Sequence, residues 1–497
     1  MKLPRFSFLS TRTLFTCGAL LGIILLRWYL IRFGFIYDGF VVPPGGDPAV
    51  HIQLAQYLAS GHSWLASGLQ YPPGFHLLVV YVSNIFHISI LQSTIILGQL
   101  TVLLPIIATF IIADKWFNRH TAIAAAALIG LASASPIVAY MDGNYPNLVG
   151  SGFLMIIGFT YFVESLREKP LLNSIYASIA FILLAFVHHL SFILMLVIII
   201  VYLVVIFIIQ HGTGNHLPHF KRVGVFAFIG IIASGWLGYF LFGKTLFLPA
   251  LTRIFNGSAP SFSDAYLSRP LGLGEYGATL GPLVLVLGLI GFLFVLNSRS
   301  PLLKVERKVF LLTWITVIAV LSQLSVVGLP SRLARELAVP CAIAGGILAS
   351  VLISQAHERW RQWLTFGIIA IFITSQTVML MTGPAHLPGG FSSMIWLGEK
   401  DLSKIVALNS LPDGVSIVMT PASPYYNVLV PNKKLVVSQT FDGSSYIFLG
   451  ARLNPIPDPV AYPYFAHFDT IEKALKKAPN TKLLYSFPDG SESREVL

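Results

Sequence analysis

Residues 72–88 read PPGFHLLVVYVSNIFHI, and whether this run crosses a membrane decides the fold of the whole chain. The surrounding composition makes a membrane the first consideration: 55% of the 497 residues are hydrophobic and only 11% are charged. Soluble domains carry roughly 25% charged residues. Several stretches run about 18 residues or more without a charge, enough helix to cross a bilayer. The chain therefore reads as an α-helical polytopic membrane protein. Its net charge of +11 needs no nucleic acid, because Lys and Arg on cytoplasmic loops produce it. Cys17 and Cys341 lie in apolar segments far apart, which indicates neither a disulfide framework nor a cysteine metal site.

If 72–88 spanned, DKWFNRH (114–120) and most later basic loops would face outward, against the positive-inside rule. If 72–88 lies along the outer interface, eleven spans follow at roughly 13–33, 92–113, 121–141, 148–166, 173–188, 190–210, 223–243, 280–297, 309–327, 337–354 and 363–382. The inside loops then hold Lys115, Arg119, Arg167, Lys169, Lys221, Arg222, Arg299, Lys304, Arg307, Lys308, Arg359 and Arg361. The first of these spans is apolar like a signal peptide, but no small-residue cleavage site follows it, so it is expected to be retained.

This topology gathers the loops 34–91 and 244–279, and everything after 383, on the outer face. Residues 1–382 form the membrane domain and 383–497 a small extracytoplasmic α/β domain. In the latter, helices are predicted at DLSKIVALNSL and TIEKALKKA, the second capped by Thr470, and strands at GVSIVMT, KLVVSQT and TKLLYSF.

The polar residues of the outer face supply the candidate site. In PGGDPAVHI (44–52), Asp47 before Pro48 has the pattern of an N-cap and first helical residue, with His51 one turn on. Val50, Leu54 and Leu58 share one face of this helix, which predicts a surface helix ended by Gly61. In YPPGFHLL, Tyr71 precedes a second helix start carrying His76 in its first turn. MDGNYPN (141–147) reads as a turn with Asn147 capping the next span, and the adjacent His188 and His189 diverge on a helix and make no ready metal site. GLPSRLARELAVP (328–340) sets Arg332 and Arg335 on one helix face at an outer span end. Arg332 can pair with Glu336 at spacing four, which leaves Arg335 to bind phosphate bidentately.

Taken with the span preceding them, which contains RWYLIR, the stretches GGDPAVH, YPPGFHLL, DKWFNRH and PSRLARELAVP resemble the polytopic GT-C glycosyltransferases. These include protein mannosyltransferases, lipid A aminoarabinose transferases and oligosaccharyltransferases. The resemblance spans roughly 13–382. It implies a polyprenyl-phosphate-linked sugar as donor, a glycan, lipid or protein acceptor, and interfacial helices in the first outer loop. It also implies Asp47 as general base, Arg332 and Arg335 on the donor phosphate, and His51 and His76 orienting the base or the phosphate. Asp142 and Tyr71 are further candidates. Where mannosyltransferase-like members carry an Asp-Glu pair, Pro48 follows Asp47 here. Asp38, Asp47 and Asp142 could imitate the metal-binding acids of oligosaccharyltransferases, yet MDGN lacks their second acid, so no metal or other cofactor is assigned.

The expected function is inverting sugar transfer at the outer face of a cell membrane. A transporter or lipid flippase would instead distribute charge through the bilayer midplane. A noncatalytic scaffold binding a partner through the C-terminal domain is the third reading.

Overall fold

The computed structural model describes residues 11–37, 41–64, 71–213, 226–241, 270–298, 303–324 and 330–355, isolated positions between 363 and 374, most of 397–438, and 446–450, 468–478 and 481–496. The membrane part runs through helices α1 (Thr11–Tyr37), α2 (Asp47–Ala59), α3 (Gly74–Phe86), α4 (Ile90–Thr101), α5 (Leu104–Trp116), α6 (Arg119–Ala127), α7 (Ser135–Met141), α8 (Tyr145–Val149) and α9 (Met155–Ser165). It continues through α10 (Pro170–Val187), α11 (His189–Thr213), α12 (Ile232–Gly238), α13 (Leu273–Leu280), α14 (Pro282–Asn297), α15 (Val305–Leu321), α16 (Pro330–Arg335) and α17 (Ala338–Gln355).

Among the described residues, six helices are long and apolar enough to cross a membrane, or eight if two bent pairs each form one span. Of the eleven expected spans, 363–382 falls largely outside the described residues. The span expected at 309–327 appears as the 17-residue α15. Helix α3 has 13 residues, so it is about 20 Å long and too short for a hydrocarbon core of roughly 30 Å. Its inner stripe is Phe75, His76, Val79 and Ser83, while Leu77, Leu78, Tyr81, Ile85 and Phe86 are exposed. That one-sided burial suits a helix lying in an interface.

The two bent pairs meet at their breaks. α6, with its π-helical end Leu128–Ala132, turns by 41° into α7, and α13 turns by 109° into α14. The Ala134 amide donates to the Leu280 carbonyl at 3.2 Å. Arg27, fully buried on α1, donates from Nη2 to the carbonyls of Ile129 at 3.1 Å and Ser133 at 3.0 Å. Non-helical backbone at membrane depth is tolerated only where protein groups satisfy it, and these bonds do so. Close helix contact completes the frame: a Cβ on Gly291 of α14 would lie 2.3 Å from the Ala344 carbonyl of α17. Only glycine admits that approach, as in other membrane helix pairs.

At the other end of the bundle Arg307 of α15 clasps two more helices. Its Nε and Nη2 donate to Glu164 Oε1 at 3.0 and 2.7 Å, and Nη1 donates to the Trp116 carbonyl at 2.6 Å. Both charged side chains are buried.

The C-terminal portion holds α18 (Glu399–Asn409), β1 (Ser416–Met419), α19 (Tyr426–Leu429), β2 (Lys434–Val437), β3 (Tyr446–Leu449), α20 (Phe468–Lys476), β4 (Thr481–Ser486) and β5 (Glu492–Val496). The sheet order is β2-β1-β3-β5-β4, with β1 parallel to β2 and β3 and the other pairings antiparallel. The three expected strands form; β3 and β5 join them. Thr470 does not cap α20, which begins two residues earlier at Phe468. The apolar core of this module is continuous with Val42, Ala49 and Ile52 of the first loop. The boundary expected at 382/383 lies outside the described residues.

Breaking a buried ion pair by removing one charge leaves the other uncompensated, at a cost of about 3–5 kcal/mol. Glu164→Gln is therefore expected to lower the unfolding temperature of the detergent-solubilised protein substantially. Glu306→Gln, which touches only the longer 3.9 Å contact with Arg167, should leave it nearly unchanged.

Candidate functional site

Two glycines in the left-handed region bring the acidic turns together. Gly45 has φ +82° and Gly143 φ +77°. A Cβ on Gly45 would lie 2.4 Å from the Met141 carbonyl oxygen, and one on Gly143 would lie 2.2 Å from Pro48 Cδ. The turn before α2 and the turn after α7 thus press backbone to backbone, each carrying one carboxylate: Asp47 on the first, Asp142 on the second.

Helix α16 sets its two arginines against them. Arg332 Nη2 lies 4.0 Å from Asp47 Oδ2, with both side chains about half exposed. Arg335 makes an ion pair with Asp142 in more enclosed surroundings. Ser135 Oγ at the start of α7 donates to the Arg335 carbonyl at 3.0 Å, tying the basic helix to the acidic turn. The expected Arg332–Glu336 pair does not form. Glu336 instead accepts from Asn147 Nδ2 of α8 at 2.8 Å, while Arg332 faces Asp47.

Two local expectations are corrected. Asp47 is the first residue of α2 and Gly46 the N-cap, with no side-chain capping bond. Pro48 removes one amide, and the carboxylate faces Arg332 rather than the helix start. Asn147 likewise caps nothing; α8 begins at Tyr145, and the Asn147 side chain is engaged by Glu336 and Ser151. The buried face of α2 is Pro48, Ala49, His51, Ile52, Leu54 and Ala55, which takes in Leu54 of the expected surface face. Val50 is exposed because the C-terminal module covers Ala49 and Ile52 instead. Gly61 does follow the helix end as expected, with φ +78°.

His51 and His76 meet each other: His51 Nδ1 lies 3.0 Å from His76 Nε2, and both rings are buried. Burial pushes the His51 imidazole down to about 4, opposed in part by a hydrogen bond with the Gly143 backbone. His76 is held well below the usual range by burial and by His51. The pair is therefore neutral at physiological pH, and the positive charge of the site rests on the arginines. The Tyr71 ring packs within 5.5–5.6 Å, centroid to centroid, of His51, His76 and His189, and within 6.3 Å of His188. Tyr71 thus joins the site. His188 and His189, expected to diverge on a helix, instead sit at the α10–α11 junction, where His188 is extended, and both reach Tyr71.

The Asp47 carboxyl is raised above its ordinary value, chiefly by desolvation; Arg332 pulls it down, Asp142 raises it and Arg335 lowers it. Half of its side-chain surface is nevertheless open, so the carboxylate sits in a crowded but solvent-reached recess.

No family model and no curated protein matches the sequence. Solved structures do. The oligosaccharyltransferase AglB from Archaeoglobus fulgidus, in complex with an inhibitory peptide and a dolichol-phosphate, superimposes with a TM-score of 0.64 at 12% identity over 98% of this chain and 74% of that one. Its complex with Zn and sulfate gives 0.66 at 13% identity over 96% and 73%. ArnT from Cupriavidus metallidurans bound to undecaprenyl phosphate gives 0.58 at 12% over 97% and 98%. The chain has the fold of the GT-C glycosyltransferases.

Zinc in one neighbour invites a test of the donor set. Among the described residues no three His, Cys, Asp or Glu side chains converge as metal ligands. Asp47 and Asp142 each face a guanidinium, and His51 and His76 are bonded to each other. These residues do not fit a divalent ion, and Asp38 lies outside the described residues.

Two outcomes are expected. Gly143→Ala must relieve a Cβ overlap as well as left-handed strain of about 1–2 kcal/mol, so it should disrupt the site and lower the unfolding temperature. Gly61→Ala, with a similar φ and nothing within 4 Å of its Cβ, should incur only the strain; thermal unfolding of the two variants separates the effects. For pH, a nearby cation favours the carboxylate, so its removal raises the Asp47 pKa. Arg332→Gln should move the acidic limb of the kcat/KM profile to higher pH, read in the residual activity.

Proposed function

We propose that this protein is a membrane glycosyltransferase that moves a sugar, with inversion, from a polyprenyl phosphate carrier to a hydroxyl or amide of a glycan, lipid or protein at the outer membrane face. The observation that carries the reading is the facing of Asp47 and Asp142 by Arg332 and Arg335 on interfacial turns. The GT-C fold supports it, as do the polyprenyl phosphates named in two neighbours.

In the proposed reaction Asp47 takes the proton of the acceptor as its heteroatom attacks the anomeric carbon. The bond from that carbon to the phosphate oxygen breaks, and the electron pair leaves with the polyprenyl phosphate. Arg332, which is half exposed and only loosely paired, binds the phosphate and stabilises the growing charge. Arg335 adds to that field while holding Asp142. The neutral His51–His76 pair orients the helix that carries Asp47. A raised carboxylate pKa makes Asp47 a better base than an exposed aspartate, and positioned bases contribute on the order of 10²- to 10⁴-fold. In this reading the basic loops at the Arg307 end face the cytoplasm, and the C-terminal module is extracytoplasmic.

Asp47→Asn keeps the size of the side chain and cannot accept the proton. It should lower transfer by about 10²- to 10⁴-fold, leaving a residual rate, while the unfolding temperature stays near that of wild type, and mass spectrometry of copurified lipids should find a polyprenyl-linked sugar. Normal turnover in this variant would refute the base assignment.

A further inference from the structure

Among the described residues, the module formed by α18–α20 and β1–β5 makes a polar contact with the stretch that leads into Asp47. Tyr425, fully buried just before α19, donates its hydroxyl to the Pro43 carbonyl at 2.6 Å across 382 positions of sequence. Pro43 and Pro44 have no N–H, so this buried segment can be anchored by hydrogen bonds only through its carbonyls. Immediately after it come Gly45, pressed on the 141–143 turn, and Asp47, which has no capping bond of its own. The stretch from Pro43 to Asp47 is therefore clamped between Tyr425 on one side and the Asp142 turn on the other. Around the hydroxyl, Val42, Ala49 and Ile52 share an apolar core with Tyr425, Tyr426 and Phe448. Burial, with Tyr140 and then Asp47 nearby, keeps the phenol protonated and hence a donor.

We infer that the C-terminal module belongs to the catalytic apparatus, with Tyr425 as a positioning residue whose hydroxyl fixes the Pro43–Asp47 turn and so aims the Asp47 carboxylate. The inference deepens the proposed function and rests on Asp47 being the base. Its physical content is that turnover depends on placement: a displacement of the order of 1 Å at a reacting group costs roughly 100-fold. The phosphate site depends on α16 instead, so donor binding does not need the Tyr425 bond.

The test is Tyr425→Phe in the full-length protein in nanodiscs, since phenylalanine keeps the packing and removes only the hydroxyl. Hydrogen–deuterium exchange at the Gly45–Val50 amides should quicken while the peptide from α3 stays unchanged. Turnover, with lipid-linked sugar extracted from source membranes as donor, should fall roughly ten- to hundredfold. Affinity for undecaprenyl phosphate should stay as in wild type. On the residual activity of Asp47→Asn, adding Tyr425→Phe should cause no further loss, because the aimed group is already gone. Wild-type exchange and turnover in Tyr425→Phe would overturn the inference, and so would a loss that multiplies that of Asp47→Asn. If Asp47→Asn alone turns over normally, the base assignment fails, and the exchange measurement still decides whether Tyr425 holds the turn.

Discussion

Backbone contact between the Gly45–Pro48 and Met141–Gly143 turns is the constraint on which the site depends. Two carboxylates at this separation repel, and each stays close to the other only because a guanidinium faces it. The arginines must therefore arrive from a third element at the right height, and α16 supplies them at spacing three. Ser135 and Asn147 then bind the Arg335 carbonyl and the Glu336 carboxyl at the junction of α16 and α17. Charge balance and steric fit specify the same arrangement.

The membrane part makes that arrangement rigid by satisfying its own irregularities. Both broken spans would expose carbonyls at bilayer depth, and they meet each other and the buried Arg27 guanidinium instead. The break after Ala132 directs α7 to the Asp142 turn. At the opposite end Arg307 joins α15, α9 and α5 through Glu164 and Trp116. Buried charges in such a chain are costly unless their polar groups find partners, and here Arg27 and Arg307 tie elements that sequence separates by more than 100 residues.

The absence of a cap on Asp47 changes its chemistry. Amide hydrogen bonds from a helix start would favour the carboxylate and weaken it as a base. Gly46 takes the cap position, so desolvation acts on Asp47 with only Arg332 and Arg335 to oppose it. The neighbouring imidazoles add no charge, since burial keeps His51 and His76 neutral.

Composition and charge asymmetry alone determined that the chain is a polytopic membrane protein, and loop charge alone placed 72–88 outside the set of spans. Asp47, Arg332, Arg335, His51, His76, Asp142 and Tyr71 were legible as candidates because polar residues at a membrane face stand out against an apolar background. Their partners were not. Arg332 and Glu336 satisfy spacing four on paper, yet Glu336 is taken by Asn147 and Arg332 faces Asp47, and no local rule encodes partners so distant in sequence. Asp47 had the pattern of a cap, but whether a side chain turns back on its helix depends on what faces it, here an arginine 285 positions away. Tyr425 carried no signal beyond its α/β surroundings, and the partners of Arg27, His188 and His189 were not legible although the residues themselves stood out. The strands β3 and β5 were missed because one is a short buried run and the other a short charged run between two neighbours, and neither has much periodicity of its own. Periodicity and hydropathy report what a residue needs from its solvent; which distant group meets that need is decided only when the chain closes on itself.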